Sequence, residues 1–211
     1  MSQSIEDENA KKKKSIQLNI EFQGVSKSHM LHIWQQLKQN QIPEAEDYIL
    51  ARSMADHPHW YAIFETIGIF EDSYHEYPGN INPYEHVQFH YLLGVQILQK
   101  KPQQAFLFYQ ARMKKKEDPH EVIHMMIHIF QSHLAQLAQY IAHDEALQQT
   151  LAHHQADMND DEVDAPIQIQ VDHQHYTQLL KSFQKLSRAE IWKKLGFAEI
   201  PPLHPEQELL F

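Results

Sequence analysis

The sequence predicts an all-α protein, a helical-bundle core with a C-terminal helical extension and a candidate short two-stranded β element. Only 5 of the 211 residues are glycine, and the middle of the chain lacks the Asn-Gly or Asp-Gly pairs that mark tight hairpins. Apolar residues recur instead with the 3.6-residue helical period from about Ser28 to Ala156. With 42% hydrophobic residues, the chain has enough apolar side chains for a folded core.

Three helices are predicted in the first part of the core. Ser28 is expected to cap the first, Pro43 to open the second, and Pro58 to open the third, which reads HWYAIFETIGIF. The polar stretch from Glu71 to Ile81 is expected to be a loop.

Two later helices share one start signal, NPYE at 82–85 and DPHE at 118–121. Each places Asn or Asp at the cap, Pro at the first helical position, and Glu three residues after the cap, where its side chain can reach back to the cap N–H. Between them Pro102 begins the helix QQAFLFYQARMKKK. Its lysine-rich end suits the negative end of the helix dipole.

The domain organisation follows from shifts in composition. We expect a polar leader with a short candidate strand at 1–27, a helical core domain at 28–156, an acidic linker at 157–165 and a C-terminal extension at 166–211. SIQLNIEF in the leader and PIQIQV at the start of the extension both alternate apolar and polar residues, so they are candidates for pairing as strands.

The C-terminal extension is expected to return to helix. Tyr176 to Leu186 forms one predicted segment. Ser187 and Glu190 form a capping box that opens a second, and Gly196 lies where a left-handed residue would close it.

Charge and composition exclude several classes of function. The formal net charge of −10 and the lack of a domain-scale basic surface argue against nucleic acid or an acidic membrane as the partner, and Lys11 to Lys14 are expected to be a solvated tail. The chain has no cysteine, which excludes disulfides, iron–sulfur clusters and thiolate zinc sites, so any metal must be held by His, Asp and Glu. The N-terminus lacks a signal-peptide core and no apolar run is long enough to span a bilayer, which predicts a cytoplasmic protein.

The sequence HEVIH at 120–124 matches the H-E-x-x-H motif of zinc proteases, in which two histidines bind zinc and the glutamate acts as general base. The chain holds 17 histidines and 25 glutamines, so it is rich in both residues and an accidental match is less surprising. Glu121 already has a structural role as the glutamate of the Asp118 cap, and no third zinc ligand of the protease type follows. The protease interpretation is therefore disfavoured.

A different set of histidines predicts a metal site inside the bundle. His86 and His90 lie one turn apart on a helix that is apolar nearly all round, so both imidazoles are expected to point inwards. His120 and His124 flank the apolar stripe of the later helix, while His128 is expected to lie closer to solvent. The two pairs can meet across the bundle and bind Zn, Fe or Mn.

Carboxylates complete the predicted site. Glu85 or Glu121 is a candidate oxygen ligand, and Glu121 is the candidate catalytic residue, because it is the carboxylate nearest to act as a base if the metal has an open position.

Two alternatives to a metal site remain open. Buried histidines also serve packing by hydrogen-bonding carbonyls, carboxylates or tyrosines. The protein would then be a non-catalytic interaction or structural protein, whose C-terminal helices meet an unknown protein partner or a second copy. A histidine-rich chelating buffer with several weak, exposed sites is a further alternative.

The ordered motifs resemble a known family. They are HPHWYAIF at 57–64, NPYEHVQFHYLLGVQ at 82–96, HEVIHMM at 120–126 and LAQLAQ at 134–139. Together they resemble an uncharacterised bacterial family, domain of unknown function 1841, over roughly Met30 to Tyr140. Its characteristic positions correspond here to Asn82, Pro83, His86, His90, Gln96, His120, Glu121 and His124.

The resemblance implies a compact helical domain and no established activity. Ile127 departs from the family pattern, which has a second methionine there. His128 and the C-terminal extension lie outside that pattern. Because the family motifs are rich in histidine where packing alone would accept Leu or Met, the resemblance favours the metal site.

Overall fold

The computed structural model describes residues 19–20, 24–67, 82–143, 169–170 and 174–197. Eight α-helices lie in these ranges: α1 Lys27–Lys38, α2 Ala45–Ala55, α3 Tyr61–Phe64, α4 Pro83–Gln99, α5 Gln103–Lys114, α6 Pro119–His143, α7 Gln174–Phe183 and α8 Arg188–Lys194. A 3-10 turn, Pro58–Trp60, precedes α3. The predicted all-α fold is confirmed.

Two short strands join the leader to the C-terminal extension. β1, Asn19–Ile20, pairs antiparallel with β2, Ile169–Gln170, so that Asn19 faces Gln170 and Ile20 faces Ile169. These residues belong to the two alternating segments, and the predicted pairing is therefore confirmed. The predicted acidic linker, 157–165, and the predicted loop, 71–81, lie outside the described residues.

The predicted caps are found at three helix starts. The Asn82 side chain accepts hydrogen bonds from the backbone N–H of Tyr84 at 3.0 Å and of Glu85 at 3.3 Å. Asp118 accepts one from the N–H of Glu121 at 3.0 Å. The Ser187–Glu190 capping box is complete, with both reciprocal bonds formed.

The predicted end of α8 is also found. Gly196 has a φ of +90°, a left-handed conformation that L side chains rarely adopt. Its N–H donates to the Lys193 carbonyl at 3.2 Å, and the Phe197 N–H donates to the Trp192 carbonyl at 3.0 Å. These two bonds satisfy carbonyls that the end of the helix would otherwise leave without partners.

Two predicted helix starts are displaced. Ser26, two residues before Ser28, caps α1 by accepting the His29 N–H at 3.2 Å. Both serines are competent caps, and the earlier one adds helical residues. α2 begins at Ala45 with Glu44 at its N-cap, and Pro43 lies in the connection before it.

The third predicted helix is a 3-10 turn followed by a single α-helical turn that ends at Phe64. In the C-terminal extension, α7 covers 174–183, so it begins before Tyr176 and ends before Leu186.

Two apolar clusters form the core. The first joins α1–α3 to the start of α4, and its buried members include Met30, Trp34, Leu50, Phe64 and Val87. The second joins α4, α5 and α6 to α7 and α8, and its buried members include Leu93, Phe108, Met126, Tyr176, Leu180 and Trp192. The C-terminal extension therefore contributes to the core and is not an appendage.

Arg112 fastens the end of α7 to α5. Its fully buried guanidinium donates to the carbonyls of Phe183 at 3.0 Å and Leu186 at 2.8 Å, and it pairs with Glu117 at 3.1 Å. These three contacts provide the buried guanidinium with the polar partners that a charge requires in the protein interior.

Helices α2 and α4 pack at a very short separation. A Cβ atom placed on Gly94 would clash with Cγ2 of Ile49, so only glycine permits this approach. The close packing brings the end of α2 against the histidine-bearing face of α4.

Candidate metal centre

Five histidines from three parts of the chain meet between α2, α4 and α6. His57 follows α2 and caps the 3-10 turn, His86 and His90 lie near the start of α4, and His120 and His124 lie near the start of α6. We call these five residues the histidine cluster. Their ring centroids lie 4.3–6.1 Å apart in the pairs that touch.

The Nε2 atom of His86 lies among three other Nε2 atoms. It is 3.1 Å from that of His57, 3.0 Å from that of His90 and 3.2 Å from that of His124. The cluster therefore turns several imidazole nitrogens towards one another.

A second geometric set overlaps the first. One ring nitrogen from each of His57, His90, His120 and His124 lies within 4.8 Å of the other three, a spacing that can hold a metal ion. His57, His90 and His124 belong to both sets, so we treat these three as the core of the site.

Neighbouring acceptors lie close to the Nδ1 atoms of two of the imidazoles. Nδ1 of His57 lies 2.6 Å from the Ser53 carbonyl oxygen. A carbonyl only accepts, so this Nδ1 carries the hydrogen, and Nε2 of the neutral ring keeps its lone pair for a metal. Nδ1 of His120 lies 3.8 Å from a carboxylate oxygen of Asp56, and the side chain of His120 is 12% exposed.

Burial keeps four imidazoles of the cluster neutral, those of His57, His86, His90 and His124. It lowers the pKa of His57 to about 3, although the hydrogen bond to Ser53 acts in the opposite direction. Burial and then the neighbouring histidines hold the pKa values of His86, His90 and His124 well below the ordinary range. Neutral imidazole is the form that binds metals, so these four side chains are ready ligands at neutral pH.

An aromatic side chain packs against the cluster. The Trp60 ring stacks on His57 with an interplanar angle of 10° and a centroid distance of 4.9 Å, and it meets His86 edge-on at 5.1 Å. This contact restricts the orientation of both imidazoles and excludes water from one side of the site.

The structure brings together all four histidines predicted from the sequence, His86, His90, His120 and His124, and adds His57. His57 was not among the ligands predicted from the sequence. A signal was present, because His57 opens the HPHW motif that contributed to the family resemblance.

The two candidate glutamates lie in different environments. Glu85 is exposed on α4, whereas Glu121 is 4% exposed and its carboxylate accepts a hydrogen bond from Arg188 at 2.7 Å. The roles of Glu85 or Glu121 as oxygen ligands, and of Glu121 as a base, stay predictions.

His128 is more exposed than the buried His124, as expected, but part of its ring is covered by the C-terminal extension. His128 is half-buried, and its ring meets those of Trp192 at 4.9 Å and Phe197 at 5.1 Å. The reason is that α8 covers this side of α6, a contact between distant parts of the chain.

The family model described as Domain of unknown function (DUF1841) matches residues 25–155. The chain belongs to this family. No curated protein and no solved structure matches it significantly.

The whole histidine cluster lies within the DUF1841 match, whereas α7 and α8 lie beyond it. The extension nevertheless shares the second apolar cluster with the DUF1841 helices. No helix in the described ranges is long and apolar enough to cross a membrane.

The Arg188–Glu121 ion pair ties α8 to the first turn of α6, next to His120. We expect Arg188→Ala to lower the free energy of unfolding by about 3 kcal/mol, because it leaves the buried Glu121 carboxylate without its guanidinium. Urea unfolding of both proteins measures the loss.

A double variant separates the ion pair from simple packing. Arg188→Met combined with Glu121→Met should recover most of the stability, because no buried charge is then left without a partner. An Arg188→Ala variant with the same free energy of unfolding as the wild type would contradict this account of the pair.

Proposed function

We propose that the protein binds one divalent transition-metal ion in the histidine cluster. His57, His90 and His124 are the core ligands, and His86 and His120 complete the set. The proposal rests on the mutual approach of the imidazole nitrogens, which is the single observation that carries it.

The contacts around His86 are poorly explained by hydrogen bonding alone. An imidazole Nε2 offers either one N–H or one lone pair, so it can form one good hydrogen bond. Three Nε2 neighbours at 3.0–3.2 Å exceed that capacity. A cation among the nitrogens would turn the repulsion between lone pairs into attraction.

The spacing of the nitrogens also suits a metal. Zinc binds imidazole nitrogen at about 2.0–2.1 Å, which puts neighbouring nitrogen ligands roughly 2.8–3.4 Å apart, with octahedral geometry at the short end of this range and tetrahedral geometry at the long end. The separations around His86 fall in this range.

The ligand type favours Zn or Fe within the predicted group of Zn, Fe and Mn. Imidazole suits Zn and Fe, whereas Mn is better served by carboxylate, carbonyl and water ligands. The cluster consists of imidazoles, and the Asp56 carboxylate lies 3.8 Å from Nδ1 of His120.

Elemental analysis by mass spectrometry tests the proposal on untagged protein that is purified without added metal or chelator. We expect about one Zn or Fe per chain, since one set of converging ligands holds one ion. A folded protein that holds no stoichiometric transition metal, and that takes up none from a buffered metal solution, would refute the proposal.

A further inference from the structure

A pocket adjoins the histidine cluster on one side. It has a volume of about 360 Å³ and lies between α2, α4, α5 and the start of α6. His90 and His120 both line it, whereas His57 and His124 do not. An ion held by the cluster would therefore lie next to the pocket, beside His90 and His120.

The pocket is large enough for a small molecule. Its volume lies at the lower end of the range for ligand sites, about 300–1,000 Å³, and far above the roughly 30 Å³ that one water molecule occupies. Its wall combines apolar and aromatic side chains, among them Tyr48 and Ile123, with the charged residues Arg52, Asp56 and Asp118.

Charge indicates which small molecule would enter. Imidazole ligands are neutral, so a divalent ion in the cluster keeps its full charge. The pocket wall adds one cationic and two anionic side chains, Arg52, Asp56 and Asp118, which leaves a net positive charge around a bound ion. A site with such a net charge favours an anion.

Arg52 lies where it can contact that anion. Its Nε donates to the Asp56 carboxylate at 2.9 Å, and 65% of its side chain is exposed. Asp56 in turn approaches His120 at 3.8 Å. The same carboxylate therefore links the arginine at the pocket to a histidine of the cluster.

We propose that the pocket binds a small anion about the size of a carboxylate group. This anion completes the coordination of the metal and contacts Arg52. This inference rests on the proposed metal site and names the class of ligand or substrate that the site takes.

Visible absorption of the Co²⁺-loaded full chain tests the inference, with azide as the probe and ionic strength held constant with perchlorate. We expect azide to shift the cobalt bands and the shift to saturate at one azide per cobalt. Bands that stay unchanged while cobalt remains bound would overturn this inference alone. Failure of the protein to retain cobalt would instead refute the metal site, so the two failures are distinguishable.

Two pairs of variants locate the anion. Ile123→Trp puts an indole in the pocket and should remove the azide response, whereas Ile42→Trp, at a position 79% exposed and outside the pocket wall, should leave it intact. An unchanged response in Ile123→Trp that still binds cobalt would contradict entry through this pocket.

The second pair changes only charge at an exposed side chain, so the fold should be preserved. We expect Arg52→Glu to bind azide about fivefold more weakly than Arg52→Lys, the scale of an exposed charge interaction. Equal azide affinities in the two variants would overturn the role of Arg52.

Discussion

Replacing His90 and His124 together by alanine is expected to abolish stoichiometric metal binding. Both residues belong to each of the two overlapping ligand sets, so the variant removes two of the three core ligands. We expect affinity to fall by more than about 100-fold, because even changes behind the ligands cost roughly 10- to 100-fold. Elemental analysis after dialysis, with circular dichroism to check helix content, measures the effect.

A double variant on α1 is the matched control. His29→Ala with His32→Ala also removes two histidines, but from a helix face outside the cluster, where His29 pairs with the partly exposed Asp47. The control should keep its metal. If the His90 and His124 variant retained as much metal as this control, the histidine cluster would not be the binding site.

A comparison of the wild type with the His90 and His124 variant also distinguishes metal binding from packing. If the histidines only hydrogen-bond within the core, the His90 and His124 variant would lose stability through unsatisfied partners and a cavity. Added Zn would then raise the melting temperature of neither the wild type nor the variant. A metal site predicts such an increase for the wild type alone.

Acid is expected to unfold the metal-free protein well above the pH at which carboxylates titrate. His57, His86, His90 and His124 have lowered pKa values in the fold and stay neutral there. In the unfolded chain each takes up a proton below about pH 6.5. The unfolded state then binds more protons, so the free energy of unfolding is highest above about pH 6.5 and falls as the pH drops below it.

The expected slope is large. Each histidine that stays neutral contributes about 1.4 kcal/mol per pH unit, so four give about 5 kcal/mol per unit below about pH 6. For His57 the loss continues down to its folded pKa of about 3. The four histidines together remove about 8 kcal/mol by pH 5, which lies within the roughly 5–15 kcal/mol of stability of a domain of this size, so we expect unfolding near pH 5.

Urea unfolding between about pH 7.5 and about pH 5.5, with chelator present, measures this slope. The His90 and His124 double variant should show about half of it, because two of the four neutral imidazoles are gone. Equal free energies of unfolding at the two ends of this range would contradict neutral, buried histidines.

The sequence predicted helix starts well where a side chain caps the backbone through local geometry. Asn82, Asp118 and the Ser187–Glu190 box act over three residues, so their partners can be read from the chain. The prediction that Ser28 caps α1 was wrong, because Ser26 offers the same capping hydroxyl two residues earlier. Local rules do not decide between two competent caps.

The part of the candidate site that follows helical spacing was predicted from the sequence. His86 with His90, and His120 with His124, each lie one turn apart, and this pattern is visible in the sequence. His57 has no such partner in the helical pattern. Its place in the cluster depends on the close approach of Gly94 to Ile49, a tertiary contact that no local pattern encodes.

The environment of Glu121 likewise depends on a tertiary contact that local sequence patterns do not encode. Its partner Arg188 lies 67 residues further along the chain, on a helix outside the DUF1841 match. Sequence spacing identified Glu121 as a capping residue and a candidate base. The ion pair arises because α7 and α8 fold back onto α5 and α6.

X-ray anomalous diffraction from crystals of the untagged protein as purified tests the central claim most directly. We predict a single strong anomalous peak at the Zn or Fe edge, about 2.0–2.2 Å from imidazole nitrogens of His57, His90 and His124. An ordered cluster with no peak among these nitrogens, or a peak held by other residues, would contradict the proposed metal centre.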